Sequence, residues 1–327
     1  MHLNLVLPRF FWQYPKISLP EIPLTGLNTL RRFGTWQNKY ALNSAFYAHF
    51  LCRRSLLRHI KTEFRLPEDK PALLCSPLHQ QAGMHHVQYL SGKSLHISLY
   101  EAQVICAGFS NWFNKDGWQL LPYRADLWLL TLPKTLDFHV PSLLDLDGFL
   151  DGHSKPCGED AKIILRLQTE IQMWLHQQPF NQTRQENGLH EINGIWFEHD
   201  LCGDADNSIL YADNQWSNKP LQSPPASWQD LHHKLPENGG DVHTFFSEIF
   251  SESVLSANAQ IYIEQLHKWD KNWFVPCLDA LKNGNLDTLQ LHLSGEHGGC
   301  LTVRKPGLLT SFFHKRHKMP RFNGVWQ

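Results

Sequence analysis

The chain opens on a short, almost unbroken apolar run over residues 3–7 that Pro8 halts, the pattern of a buried β-strand. Leu24, Leu27 and Leu30 then recur at helical spacing across residues 22–33, and Gly34 follows them as a stop. A second helix is predicted over residues 41–60, its inner face carrying Leu42, Ala45, Phe46, His49, Phe50 and Leu57. Residues 72–75 and 86–90 read as short strands. The segment 76–83 between them, Ser-Pro-Leu-His-Gln-Gln-Ala-Gly, reads as a loop leaving a strand end, where α/β proteins place ligands. Ser98 with Glu101 three residues on is a capping-box signature opening a helix that runs to residue 113. Two strands are predicted around Pro122, over residues 117–121 and 126–132.

The clearest helical stripe is Ile163, Ile164, Leu167, Ile171, Trp174 and Leu175, within residues 159–177. Pro179 reads as its terminator, and residues 191–197 as a compact strand. Residues 148–158 and 203–240 are rich in Gly, Asp, Asn, Ser and Pro and read as polar loop insertions. Helices follow over 242–250, 257–269 and 274–282, the last stopped by Gly284. Strands over 286–293 and 301–304 flank a glycine-rich turn. No repeat or biased linker cuts the chain, so residues 1–313 read as one α/β domain. Residues 314–327 read as a basic, solvated tail with His314, Lys315, Arg316, His317, Lys318 and Arg321.

Bulk composition narrows the function classes. The 327 residues are 42% hydrophobic and 19% charged, with a formal charge of −1, which suits a folded protein and disfavours a nucleic-acid-coating role. The seven cysteines show no Cys-x-x-Cys spacing, so neither a disulfide framework nor a zinc knuckle is read; reduced thiols are expected. The N-terminus lacks signal-peptide features and no window has the apolar length of a membrane span, so a cytoplasmic protein is expected.

Clusters of acids and imidazoles occur at Asp151-Gly152-His153 and at Glu198-His199-Asp200, with Asp204 and Asp206 beyond. Neighbouring residues on a strand face opposite ways, so these read as solvated loop acids before they read as a metal site. The pairs His85-His86 and His232-His233 lack the i, i+4 spacing of a helical metal site. No G-x-S-x-G elbow and no P-loop is present.

The segment Trp174-Leu175-His176, Pro179-Phe180-Asn181, Arg184, Gly188 and Ile192-Asn193-Gly194-Ile195-Trp196-Phe197 combines a helix end, a polar loop and a buried strand. Two readings stand: a loop clamp, with Asn181 and Asn193 satisfying backbone and Arg184 pairing with an acid, or a planar fork offered to an anion. This segment resembles the RpfE-type bacterial regulatory protein family. Leu73-Leu74-Cys75-Ser76-Pro77-Leu78-His79 looks like that family's Asp-Pro-Val-His-Leu-Arg loop, with Ser76 and Gln80 in place of its Asp and Arg. Leu99-Tyr100-Glu101-Ala102 looks like its Leu-x-Glu-Ala helix start.

The Pro-x-Asn-x-x-Arg…Asn-x-Ile-Trp pattern is also similar to archaeal-type cofactor-independent phosphoglycerate mutases of the alkaline phosphatase superfamily. That resemblance implies a three-layer α/β sandwich with a mixed, mostly parallel central sheet, in reduced form. It also implies two divalent metal ions and a serine nucleophile, with an Asp ligand directly after the first strand. Here that place reads Leu7-Pro8-Arg9, and a guanidinium there repels metals. The leading expectation is therefore a non-catalytic regulatory or small-anion-binding protein without a cofactor. Its phosphorylated ligand would meet Arg184, Asn181, Asn193 and His79. One alternative is a phosphatase or mutase with two metals on rearranged ligands, Asp200, Asp204 and His297. Another is a module that binds an unidentified protein partner through exposed Trp and the basic tail.

Overall fold

A computed structural model describes residues 1–14, 17–39, 41–83, 87–234, 242–305 and 320–326. The chain gathers into two compact units, residues 1–50 with 205–327 and residues 51–204. The second interrupts the first, an arrangement that the sequence, read as one domain over 1–313, does not announce with a linker.

The first unit starts with β1 (His2–Leu7), α1 (Thr25–Phe33), β2 (Thr35–Asn38) and α2 (Asn43–Leu51). The second contains β3 (Arg53–Ser55), α3 (Leu56–Glu63), β4 (Ala72–Ala82), β5 (Val87–Ser91) and α4 (Leu99–Trp112). It continues with β6 (Gln119–Arg124), β7 (Leu127–Thr131), β8 (Phe149–Leu150), α5 (Ala161–His176), α6 (Pro179–Glu186), β9 (Gly194–Glu198) and β10 (Cys202–Asp204). The first unit resumes with β11 (Ile209–Tyr211), β12 (Leu221–Gln222), α7 (Trp228–Lys234), β13 (Val242–Phe246) and α8 (Ser251–Leu255). It closes with α9 (Ala259–Trp269), α10 (Val275–Asn283), β14 (Thr288–Leu293) and β15 (Gly299–Arg304).

The first unit is built on a seven-stranded mixed sheet in the order β12-β11-β13-β1-β14-β15-β2. The first five strands run parallel; β15 and β2 join antiparallel at one edge. Leu3, Leu5 and Leu7 of β1 share a core with Leu289, Leu291 and Leu293 of β14 and with Leu27, Leu30, Tyr262, Leu266 and Leu281 of the helices. The opposite face is mixed: Asn4 donates to the Thr244 hydroxyl at 3.2 Å and Thr244 to Ser208 at 2.9 Å, beside the buried Val6 and Phe246. Helix α2 covers part of that face, with Tyr47 edge-on to Phe246 at 5.0 Å.

Helix α1 has no side-chain cap of its own. Asp270 supplies it from the π-helical turn Asp270–Phe274, accepting from Gly26 N at 3.1 Å and Leu27 N at 2.8 Å. Carboxylate oxygens on the first free N–H groups satisfy the helix end and its dipole. Gly26 is required by the same crossing, since a Cβ there would lie 2.4 Å from Val275 N.

The second unit holds an antiparallel sheet in the order β6-β7-β4-β5-β8, with β9 also paired to β4, and a separate β3–β10 ribbon. Ile105 and Phe109 of α4 and Ile164, Ile171 and Trp174 of α5 share a core with Trp128, Leu130, Ile195 and Phe197 of the sheet.

Several local expectations are corrected. The helix predicted over 41–60 is broken by β3 into α2 and α3. Residues 76–82 are strand, not loop: β4 runs unbroken through Pro77, which faces Ile195 of β9. Residues 242–246 are strand, not helix; Val242, Phe245, Phe246 and Ile249 mimic a helical stripe, but β13 is buried on both faces, where strand periodicity disappears. Pro179 begins α6 instead of ending structure, its missing N–H costing nothing at a first helical position.

The end of the chain is not a solvated tail over its described part. Phe322 is 0% exposed, its N–H donates to Asn28 Oδ1 at 2.9 Å, and Trp326 stacks on Trp36 at 4.2 Å. Arg31 lies over both the Phe322 and Trp326 rings. The basic run 314–318 and the pair at 85–86 fall outside the described residues.

Candidate functional site

In the second unit the four residues singled out for a ligand come together, and they bind backbone. Asn181, on α6, donates to Leu175 O at 3.0 Å and Ile192 O at 2.9 Å, and its Oδ1 accepts from Ile192 N at 2.8 Å. Arg184, one turn on and 2% exposed, donates from Nε to His190 O at 2.7 Å and from Nη1 to Glu101 Oε1 at 2.8 Å. Its Nη2 donates to Leu95 O, so each of the three guanidinium nitrogens has a protein partner. Asn193 accepts from Gln80 N at 2.7 Å and donates to Gln80 O at 2.8 Å. The Nδ1 of His79 donates to Glu191 O at 3.0 Å, and burial lowers the imidazole's pKa.

Glu101 serves twice. It completes the capping box of α4, accepting from Ser98 N at 2.8 Å, and it pairs with Arg184. Burial pushes its carboxyl up, but the hydrogen bonds from Ser98 and Arg184 outweigh that and hold it below the ordinary value. These side chains lock the turn between α6 and β9 onto β4 and the start of α4.

A second polar cluster lies in the first unit, at the C-terminal ends of the parallel strands. Each of four strands contributes a residue just past its end: Arg9 after β1, Asn214 after β11, Glu248 after β13 and Ser294 after β14. Helix α2 adds Asn43 and Tyr47, four apart and so on one face. Arg9 N–H donates to Ser294 Oγ at 3.0 Å, and that hydroxyl donates to Asn43 Oδ1 at 2.6 Å. Tyr47 donates to Glu248 Oε1 at 2.5 Å, and Asn214 to Glu248 Oε2 at 2.7 Å. Burial, then Glu248, push the Tyr47 phenol well above its ordinary pKa, with Arg9 opposing them. Tyr47 is thus a fixed donor.

Arg9 is the unusual member. It is 4% exposed and has φ +52, a left-handed backbone that disfavours residues with a Cβ. Leu7-Pro8-Arg9 marks this place in the sequence, whereas its partners are dispersed from residue 43 to residue 294 and carry no motif.

The alternative metal set is not assembled. Asp200 accepts from Leu57 N at 2.8 Å and lies with Asp204 in the second unit, whereas His297 is exposed on the β14–β15 turn of the first. Among the described residues no three His, Cys, Asp or Glu come together to hold a metal ion. His292 and Cys300 face each other across β14 and β15, with Sγ 3.9 Å from Nε2. Burial raises the thiol and lowers the imidazole to about 4, the reverse of an activated thiolate–imidazolium pair.

No family model matches the sequence, and no curated protein does. Among solved structures, the PH0037 protein of Pyrococcus horikoshii is 11% identical, covering 94% of this chain and 88% of that one, with a TM-score of 0.47. A cofactor-independent phosphoglycerate mutase from Thermoplasma acidophilum is 10% identical, covering 97% and 93%, with a TM-score of 0.38. Likenesses this distant carry no argument about activity. Among the described residues no helix is long and apolar enough to cross a membrane.

Proposed function

We propose that this protein binds a small anionic molecule without transforming it, and that the ligand sits at the ends of the parallel strands in the first unit. Arg9 carries the reading. A buried guanidinium on a left-handed backbone costs free energy, and such strain concentrates where a side chain must be aimed at a ligand. The crevice beyond parallel strand ends is also where open α/β sheets bind ligands. Around Arg9 stand one phenol, two carboxamides, a hydroxyl and the Glu248 carboxylate, which takes the Tyr47 and Asn214 donors, so the positive charge that an anion meets here is that of Arg9.

The same residues favour binding over turnover. Tyr47 holds its proton, and Ser294 donates to a carboxamide instead of a base. Activated-nucleophile chemistry needs a base in that position. In this reading Arg184, Asn181, Asn193 and His79 are framework residues, and the resemblance of their segment to a regulatory family adds a regulatory role for the bound anion.

A thermal-shift screen of phosphorylated and carboxylated metabolites, run on wild type and Arg9→Gly, tests the proposal. Glycine suits the left-handed backbone and removes the cation. A ligand that raises the melting temperature of wild type is expected to lose its effect on the variant. Equal responses from both proteins end the proposal.

A further inference from the structure

A cleft of about 400 Å³ lies against α3 in the second unit and belongs to neither cluster above. Arg58, Lys61 and Thr62 line it at i, i+3 and i+4, one face of the helix, and the N-cap residue Ser55 extends that row by another turn. The surrounding stretch, residues 53–65, holds five cationic residues (Arg53, Arg54, Arg58, Lys61, Arg65) against the single acid Glu63. All four of those arginines are exposed.

The cleft already grips an oxyanion. Arg58 Nη2 donates to Glu68 Oε1, and Lys61 Nζ donates to the Glu68 carbonyl. Glu68 reaches the cleft from the turn beyond α3. Arg58 and Glu68 are 65% and 72% exposed at their side chains, and ion pairs that open to water contribute little. A phosphate dianion satisfies the planar fork of Arg58 and the point charge of Lys61 together, with more charge than one carboxylate. Ser55 caps Arg58 N through its oxygen and keeps its proton for an anion, the Thr62 hydroxyl is spent on the Arg58 carbonyl, and Leu57 and Leu66 supply apolar wall. The volume lies within the range of small-molecule sites.

We infer that this cleft is a binding site for a small phosphate monoester carrying an apolar group, with Glu68 as the internal competitor that the phosphate displaces. The site is independent of the one proposed around Arg9.

Calorimetric titration of the full chain with phenyl phosphate and with inorganic phosphate tests it. Phenyl phosphate is expected to bind, and more tightly than inorganic phosphate because of the apolar wall. The double variant Arg58→Ala, Lys61→Ala should weaken phenyl phosphate by about tenfold or more. Glu68→Gln should tighten it, a result that a merely structural role for Glu68 does not produce. Arg58 and Glu68 are exposed and Lys61 is half-buried, and circular dichroism checks the fold of both variants. Absence of binding to wild type, equal affinity for the two probes, or an unchanged affinity in the double variant overturns the inference. Arg9→Gly separates the two sites: affinity for phenyl phosphate is kept there if the cleft is the site and lost if the strand ends are.

Discussion

Arg184 and Glu198 show how burial decides what a charged side chain does. Arg184 has the composition of an anion ligand, yet its nitrogens are consumed by two backbone carbonyls and Glu101. Arg184→Ala leaves those buried acceptors unpaired and is expected to cost roughly 3–5 kcal/mol, read from a urea midpoint. Arg184→Lys should recover little of it, because an ammonium cannot replace a planar fork. Glu198, 2% exposed, accepts from Leu143 N at 3.2 Å, and burial raises its carboxyl to about 8. Between pH 4.5, its ordinary value, and about 8 the folded chain holds a proton that the unfolded chain has lost. Stability therefore falls as pH rises through that window and flattens above it, by at most about 1.4 kcal/mol per pH unit. Glu198→Gln should remove this slope from a pH series of urea midpoints; an unaltered slope would show that the group titrates normally.

At the scale of elements, the capping box at Ser98 was legible because both partners lie within four residues. The cap of α1 was not, since Asp270 stands 243 and 244 positions from the amides it serves. Asp270→Ala is expected to lose about 1–2 kcal/mol, with Asp270→Asn intermediate, because the amide keeps one acceptor but no charge. Strand β13 was misread as helix for a related reason. A strand in the middle of a parallel sheet is apolar on both faces, and only its neighbours β1 and β11 reveal the pairing. The break between α2 and α3 likewise depends on β10, which pairs with β3 from about 150 residues downstream in an antiparallel ribbon.

At the scale of the molecule, residues 320–326 belong to the first unit's core. Phe322→Ala is expected to destabilise the protein by roughly 3–5 kcal/mol, measured by chemical denaturation, since the ring is wholly enclosed against Phe10 and Arg31. A loss below about 1 kcal/mol would mean that the segment packs loosely. Local periodicity, turn residues and caps determined the α/β class, β1, α4, α5, α9 and the β14–β15 hairpin, because their information lies within one or two turns of chain. It also marked Arg9 at the strand tip. Tertiary structure alone decided that Arg184 is a clamp and that Asn43, Tyr47, Asn214, Glu248 and Ser294 meet around that strand tip. Parallel strands bring distant residues to one sheet edge, and hydrogen bonds between residues far apart in the chain leave no spacing to read.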